Sequence, residues 1–385
     1  MRSRLTATES WRAFVKKSLG REHSYRSALL DYPGGIVPAR PTVSVVVPTY
    51  DEASGLEQLV GDIIAQDYDG IVEIFFADGC SKDGTYATLL DLERWNRKVR
   101  VLRNSNGQTA AGINLAFSQA TGDVIIRLDA HARFEPDVVR RSVECLMRTG
   151  AAGVGAIARP AESRTLVGRA IVSAHKSPFG VGVAKFRKEG AEGWADTVWN
   201  GCYWRHVIDQ VGPLREDLHR AEDNDFNARV RKLGYGLYLS PDIRALYQPR
   251  RTFGALWRQY FANGVGVARA ALSSSGAVAL RHFAPLVLIL LLVLPALLSL
   301  VFPPALLIAA AALLGYATVL LLSVLLAGRE EPTLHVVLLP AALATLHLSY
   351  GLGTCWGFVR GAFDRMKPGK GTRTPAAQSQ ERVGL

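Results

Sequence analysis

Three short stretches of the chain place chemically able residues at close spacing. In Leu128-Asp129-Ala130-His131 a carboxylate and an imidazole stand two residues apart, after the apolar, β-branched run Val124-Ile125-Ile126. Such a run reads as a strand buried in a parallel sheet, here ending at Asp129. Side chains two apart on an extended segment point the same way. Asp129 and His131 can therefore offer an oxygen and a nitrogen to one divalent cation, leaving coordination positions for a diphosphate. The plainer alternative is an Asp that starts a loop and a His that caps the helix signalled by Glu135-Pro136-Asp137.

The second stretch, Glu222-Asp223-Asn224-Asp225, opens a helix expected to run to Lys232 and to stop at Gly234. Acids at a helix N-terminus are favoured by the dipole, and capping is their default role; a carboxylate there can also act as a general base. The third, Asp78-Gly79-Cys80-Ser81-Lys82-Asp83-Gly84-Thr85, matches neither the phosphate-cradling P-loop nor the dinucleotide turn. Asp78 at a strand end can accept a hydrogen bond from the N3–H of uracil, whereas Asp83 reads better as a helix N-cap.

The elements that must position these residues alternate. Strands are expected at Val43–Val47, stopped by Pro48, and near 71–77, 99–102 and 124–129, with helices near 53–66, 84–96 and 108–120. This is the pattern of a doubly wound, mostly parallel α/β sheet, with ligands at the strand carboxyl ends. The loops 48–52, 78–85 and 129–131 would then meet along one edge. Beyond 150 the pattern loosens. The stretch 160–195 is long for a loop and is read as a lid or acceptor-binding segment. An extended aromatic stretch, Trp199 to Arg205, follows, then a strand near 235–239.

Composition divides the chain. Net charge is +11, yet many cations flank apolar segments, no nucleic-acid-binding motif is present, and lipid headgroups are the simpler partner. Nucleic acid is not an expected partner. The four cysteines have no metal or disulfide spacing, and no secretory signal is evident. Residues 1–40 form an N-terminal extension with an amphipathic helix around Trp11 and Phe14, and 41–250 the catalytic domain. In 251–281, Phe253, Leu256, Trp257, Tyr260 and Phe261 recur at helical spacing, as in a helix lying in a membrane interface. The region 282–360 holds about three apolar segments of transmembrane length, and 361–385 is a disordered basic tail. Three full spans would put that tail outside the cell, against the positive-inside tendency.

The motif order Val-Val-Pro-Thr-Tyr-Asp-Glu, Asp-Gly-Cys-Ser-Lys-Asp-Gly-Thr, Leu-Asp-Ala-His, Asn-Gly-Cys-Tyr-Trp-Arg, Glu-Asp-Asn-Asp-Phe and Arg-Gln-Tyr-Phe-Ala-Asn-Gly resembles family 2 glycosyltransferases of GT-A fold over residues 43–270. Asp-Ala-His in place of Asp-x-Asp, with His347 to Gly353 late in the chain, is similar to the membrane-bound branch that makes succinoglycan-type exopolysaccharides. The resemblance implies that Pro48, Tyr50 and Glu52 line a nucleotide pocket, Asp78 contacts uracil and Asn114 lies beside the donor. It implies Asp129 and His131 as ligands of Mg²⁺ or Mn²⁺, Asp223 as catalytic base and Glu222 as its support. Arg258, Gln259 and Arg269 would lie near the diphosphate or a lipid phosphate.

Two departures follow from the residues. His131 is softer than a second Asp, so metal binding is expected to lean to Mn²⁺ and to fade below about pH 6.5, where imidazole protonates. The Gln-x-x-Arg-Trp signature of processive synthases is absent, so single-sugar addition is expected. The expected activity is an inverting, metal-dependent transfer of a hexose, glucose first, from a UDP-sugar to a polyprenyl-diphosphate-linked saccharide in exopolysaccharide or cell-surface glycan synthesis. The enzyme would be multi-pass in the plasma (inner) membrane with its catalytic domain cytoplasmic. The alternatives are a polyprenyl-phosphate hexosyltransferase and a non-catalytic nucleotide-binding membrane scaffold.

Overall fold

The computed structural model describes residues 25–180, 185–188, 190–273, 278–330 and 333–366. The expected N-terminal amphipathic helix and nearly all of the basic tail lie outside the described residues. Nine strands form one sheet: β1 (Val43–Thr49), β2 (Ile71–Asp78), β3 (Val99–Arg103), β4 (Val124–Arg127), β5 (Ala132–Phe134), β6 (Gly153–Pro160), β7 (Gly193–Ala195), β8 (Trp199–Trp204) and β9 (Leu237–Tyr247). Their order is β3-β2-β1-β4-β8-β6-β9-β5, with β7 beside β9.

The first four strands are parallel. Val45, Val46, Ile125 and Ile126 are essentially without solvent exposure, as expected for strands covered on both faces. Helices α1 (Leu56–Ile64), α2 (Thr85–Trp95) and α3 (Thr109–Phe117) make the crossovers. The order 3-2-1-4 reverses direction between β1 and β4, and the carboxyl ends at such a switch point are where an open α/β sheet binds ligands. Pro48 does not stop β1, which runs on through Thr49↔Asp78. Pairing with β4 has already ended at Val46↔Arg127, so the missing N–H of Pro48 costs no ladder bond.

The second half is mixed. β8 lies antiparallel between β4 and β6, and β9 runs parallel to β6 but antiparallel to β5 and β7. The stretch 160–195 contains a real helix, α5 (Leu166–Lys176), after α4 (Val138–Thr149). Ala170, Ile171 and Ala174 of α5 are buried against the C-terminal helices, so this part of the stretch is an anchored element rather than a lid. Then come α6 (Arg205–Val211), α7 (Glu222–Lys232), α8 (Phe253–Ser273), α9 (Ala284–Leu298), α10 (Ala305–Glu330) and α11 (Leu339–Met366).

Three helices, Leu280–Leu298, Ala305–Arg329 and Leu334–Arg365, are long and apolar enough to cross a membrane. Leu294, Leu297, Leu307 and Leu314 stand exposed along them, a surface suited to a bilayer. Helix α8 turns part of its apolar stripe inward. Leu256 and Tyr260 are buried among α5 and α11, while Trp257 and Arg258 stay exposed. Its contact with α11 depends on glycine, since a Cβ on Gly264 would lie 2.2 Å from the Tyr350 carbonyl and one on Gly353 2.1 Å from that of Phe261. Small residues at such a crossing let two backbones approach closely.

Candidate active site

Two loops beyond β1 and β2 are stitched to each other. Asp51 N–H donates to Ser81 Oγ, Lys82 N–H to Asp51 Oδ1, Ala53 N–H to Asp83 Oδ2 and Glu52 N–H to Thr85 Oγ1. Asp83 is not the expected N-cap of α2. Gly84, at φ +97°, occupies that position, and Asp83 instead accepts from Thr85 and Ala53, which holds its carboxyl below the usual range. Asp78 is fully buried. Its Oδ2 accepts the N–H groups of Cys80 and Ser81, whereas Oδ1 has no partner. A buried carboxylate oxygen without a protein donor is an acceptor that a ligand N–H could fill. Tyr50 is half exposed beside Gly79, and Glu52 is pushed up by burial, with Arg250 opposing.

The strand β4 ends at Arg127, two residues short of the expected Asp129. Asp129 and His131 instead sit in a turn closed by Ala132 N–H to Asp129 O (3.0 Å), and β5 begins directly after it, so His131 caps no helix. The turn, rather than strand alternation, brings both onto one cleft of about 290 Å³. Arg127 Nε donates to Asp129 Oδ1 (2.6 Å) and Trp199 Nε1 to Oδ2 (3.1 Å), while Asp129 N–H donates to Asn200 Oδ1 (3.0 Å). Burial alone would raise the Asp129 carboxyl, but Arg127, His131 and Trp199 hold it low, as an anion. The protein packed around His131 lowers its imidazole, and Arg127, Arg250 and Arg220 add to this against the pull of Asp129. The pair is thus a carboxylate and a neutral imidazole, the forms that ligate a divalent cation.

The acids of α7 separate by role. Asp225 is buried against Arg229 (2.9 Å), whose other nitrogens donate to the Val211 and Pro213 carbonyls; it is structural. Glu222 is buried 3.7 Å from Arg127, and burial followed by the charge of Asp223 raises it to about 7. Asp223 faces the cleft with only its Oδ1 engaged, by Asn224 N–H at 2.8 Å. Among the described residues four non-glycine residues have left-handed backbone: Asp51 (φ 50°), Cys80 (65°), Asn200 (48°) and Ala221 (68°). All four flank the residues just described, the distribution expected where backbone strain positions functional groups.

The other expected residues are placed as follows. Asn114 holds the 214–216 segment, donating to Leu214 O and Glu216 Oε1 and accepting from Leu214 N–H. Gln259 donates to Tyr247 Oη (2.8 Å), and its Oε1 is buried without a partner. Arg258 is exposed, and Arg269 lies in a separate groove with His219, Trp356 and Arg360. The cleft recruits residues that local reading missed: Arg127, Arg187, Trp199, Tyr247, Arg281 and His282. Of these, Arg127, two positions before Asp129 in an otherwise apolar strand, and Trp199, at the head of the aromatic stretch, carried a sequence signal.

A Rossmann-like parallel half, extended by a mixed sheet, with a carboxylate–imidazole turn at the switch point and acids at a helix start, is the arrangement of a glycosyltransferase of GT-A fold. Over 91% of this chain and 95% of the other, the fold is similar to that of the mannosyltransferase PcManGT from Pyrobaculum calidifontis, solved in complex with GDP-Man and Mn²⁺ (TM-score 0.56, 20% identity). Residues 44–187 match the family model described as Glycosyl transferase family 2, so the chain carries a domain of that family. It is similar to the succinoglycan biosynthesis protein ExoA of Rhizobium meliloti (strain 1021), 29% identical over 63% of this chain and 74% of the relative. It is also similar to a dolichyl N-acetyl-alpha-D-glucosaminyl phosphate 3-beta-D-2,3-diacetamido-2,3-dideoxy-beta-D-glucuronosyltransferase of Methanococcus voltae, 25% identical over 58% and 71%.

Proposed function

We propose that this enzyme moves a hexose, glucose as first candidate, with inversion from a UDP-sugar to a polyprenyl-diphosphate-linked saccharide during exopolysaccharide or cell-surface glycan synthesis. The likeness to ExoA supports the pathway, and the three apolar helices support work at a membrane; in this reading the catalytic domain lies on its cytoplasmic side. The observation that carries the reading is Asp223 in one cleft with Asp129 and His131.

In this reading Asp78 Oδ1 accepts the uracil N3–H, and Tyr50 and Glu52 border the nucleoside. Asp129 and His131 would hold Mg²⁺ or Mn²⁺. Among the described residues no third His, Cys, Asp or Glu joins them, which suits an ion that keeps sites for diphosphate oxygens and water. When bound, the ion offsets the negative charge that develops on the departing nucleoside diphosphate. Arg250, exposed but close enough to affect both Glu52 and His131, adds a fixed positive charge there.

The acceptor hydroxyl attacks the anomeric carbon once, and Asp223 takes its proton on Oδ2, so no covalent nucleophile is needed. Glu222, raised to about 7 by burial and by the charge of Asp223, is partly protonated near neutral pH and so supports the base with less charge repulsion. Arg127 bridges the two sides, contacting both Asp129 and Glu222.

The test is transfer of labelled glucose from UDP-glucose into solvent-extractable lipid by membranes containing the protein, Mn²⁺ and a lipid-linked primer. Label in a product longer than the primer, absent with Asp223→Asn, supports the reading. Label in a monophosphate-linked monosaccharide would establish a polyprenyl-phosphate hexosyltransferase instead.

A further inference from the structure

A second cavity, of about 470 Å³, lies between α9, α10 and α11 and is walled mostly by apolar groups, among them Leu288, Leu291, Ala312, Gly315 and Leu346. Its size is within the roughly 300–1,000 Å³ of small-molecule sites. It adjoins the catalytic cleft, since Tyr260, Arg281, His282 and Tyr350 border both. One end is thus apolar and at membrane-helix level, and the other abuts the cleft that Asp223 lines. An amphiphile with a charged head and a hydrocarbon tail has this distribution of chemistry.

Cationic side chains gather at the boundary. Arg281 Nη2 donates to Asp196 Oδ2 (2.5 Å), which fixes the guanidinium at the junction. The residue after Asp196, Thr197, donates through Oγ1 to Asn224 Oδ1 (3.1 Å), next to the proposed base. His282 is held by its own turn, Ala279 N–H donating to Nδ1 (3.1 Å), and is close enough to Asp223 to feel its charge. Arg187 and Arg220 line the same cleft. On the apolar side small residues keep the chamber open: a Cβ placed on Gly315 meets no atom within 4 Å.

We propose that this chamber takes the hydrocarbon chain of the lipid-linked acceptor, and that Arg281 with His282 holds the lipid's phosphate at the entrance to the catalytic cleft. The proposal rests on the lipid acceptor of the preceding reading and locates it. It assigns the phosphate to the junction rather than to Arg258, which is exposed, or Arg269, which lines another groove.

The test uses the full chain in detergent and native mass spectrometry, with farnesyl phosphate as probe and farnesol and inorganic phosphate as comparators. Gly315→Trp, with Ala312→Phe as a second filling variant, closes the chamber; Arg281→Gln weakens the phosphate end. Farnesyl phosphate affinity is expected to fall at least tenfold in each. Farnesol binding is expected to fall in the filling variants and to survive Arg281→Gln. A native-like cooperative thermal unfolding transition reports that each variant is folded. Undiminished farnesyl phosphate binding in both folded filling variants would overturn the proposal, as would full displacement of the probe by inorganic phosphate, which would indicate a free-phosphate site. Failure of the native protein to bind UDP would instead overturn the proposed donor and leave the chamber assignment standing.

Discussion

The parallel half of the sheet and its mixed half position their functional residues by different means. Beyond β1 and β2, the loops at 48–53 and 78–85 satisfy one another's polar groups, about thirty residues apart in sequence, above a fully buried parallel core. Around the acids, Asp129 is held by Trp199 and Asn200, some seventy residues on, and Arg127 reaches across to Glu222. A loop pair tied locally is a preformed socket. The proposed catalytic network, assembled from β4, β8, α7 and the start of the membrane region, depends on how those elements pack, including the glycine crossing of α8 and α11.

Perturbations should therefore separate along this division. The largest expected effect is on chemistry: Asp223→Asn should lower transfer by about 10²-fold to 10⁴-fold, the range for loss of a general base, as measured by initial rates with labelled donor. Asp78→Asn comes next. It can keep an oxygen on the Cys80 and Ser81 N–H groups but turns a donor toward the uracil N3–H, so UDP should bind about 10-fold to 100-fold more weakly by calorimetry. CDP, with an acceptor at N3, should gain relative to UDP.

Gly264→Leu tests the packing beneath the catalytic half. Its Cβ would meet the Tyr350 carbonyl at 2.2 Å, and overpacking of this kind costs about 1–3 kcal/mol. Thermal unfolding in detergent should report a lower Tm.

The smallest effect concerns pH. Glu222 in the folded chain titrates at about 7, above the 4.5 of an unperturbed glutamate. Between those values the folded chain holds a proton that the unfolded chain has lost, so this group lowers stability as pH rises through the window. Glu222→Gln removes that dependence. It should raise Tm by about 2–4 °C at pH 8 and leave it unchanged at pH 4.

The same division explains what could be read from sequence. Unbroken apolar runs such as Val43–Val47 and Val124–Ile126 declare buried parallel strands, and alternation with helices gives their order, so the loops at the carboxyl ends of β1 and β2 were legible. Asp129, His131, Glu222 and Asp223 were legible as residue types at telling positions. That a turn and not a strand joins Asp129 to His131 was not, because it depends on β5 pairing with β9 more than a hundred residues later. Helix α5 was hidden for a related reason. Its stability comes from packing on α8 and α11, and its own sequence, Leu166 to Lys176, has two glycine and serine interruptions, Gly168 and Ser173. Arg281 stands eighty-five residues from Asp196, and no local pattern links them.

The measurement that tests the two-part site most directly is UDP affinity in Asp78→Asn and Asp223→Asn side by side, with transfer rates on the same preparations. A preformed donor socket beside a separate catalytic network predicts that Asp78→Asn loses affinity while Asp223→Asn keeps it within about twofold and loses only rate. Equal loss of UDP affinity in both, or full transfer activity in Asp223→Asn, would contradict that account.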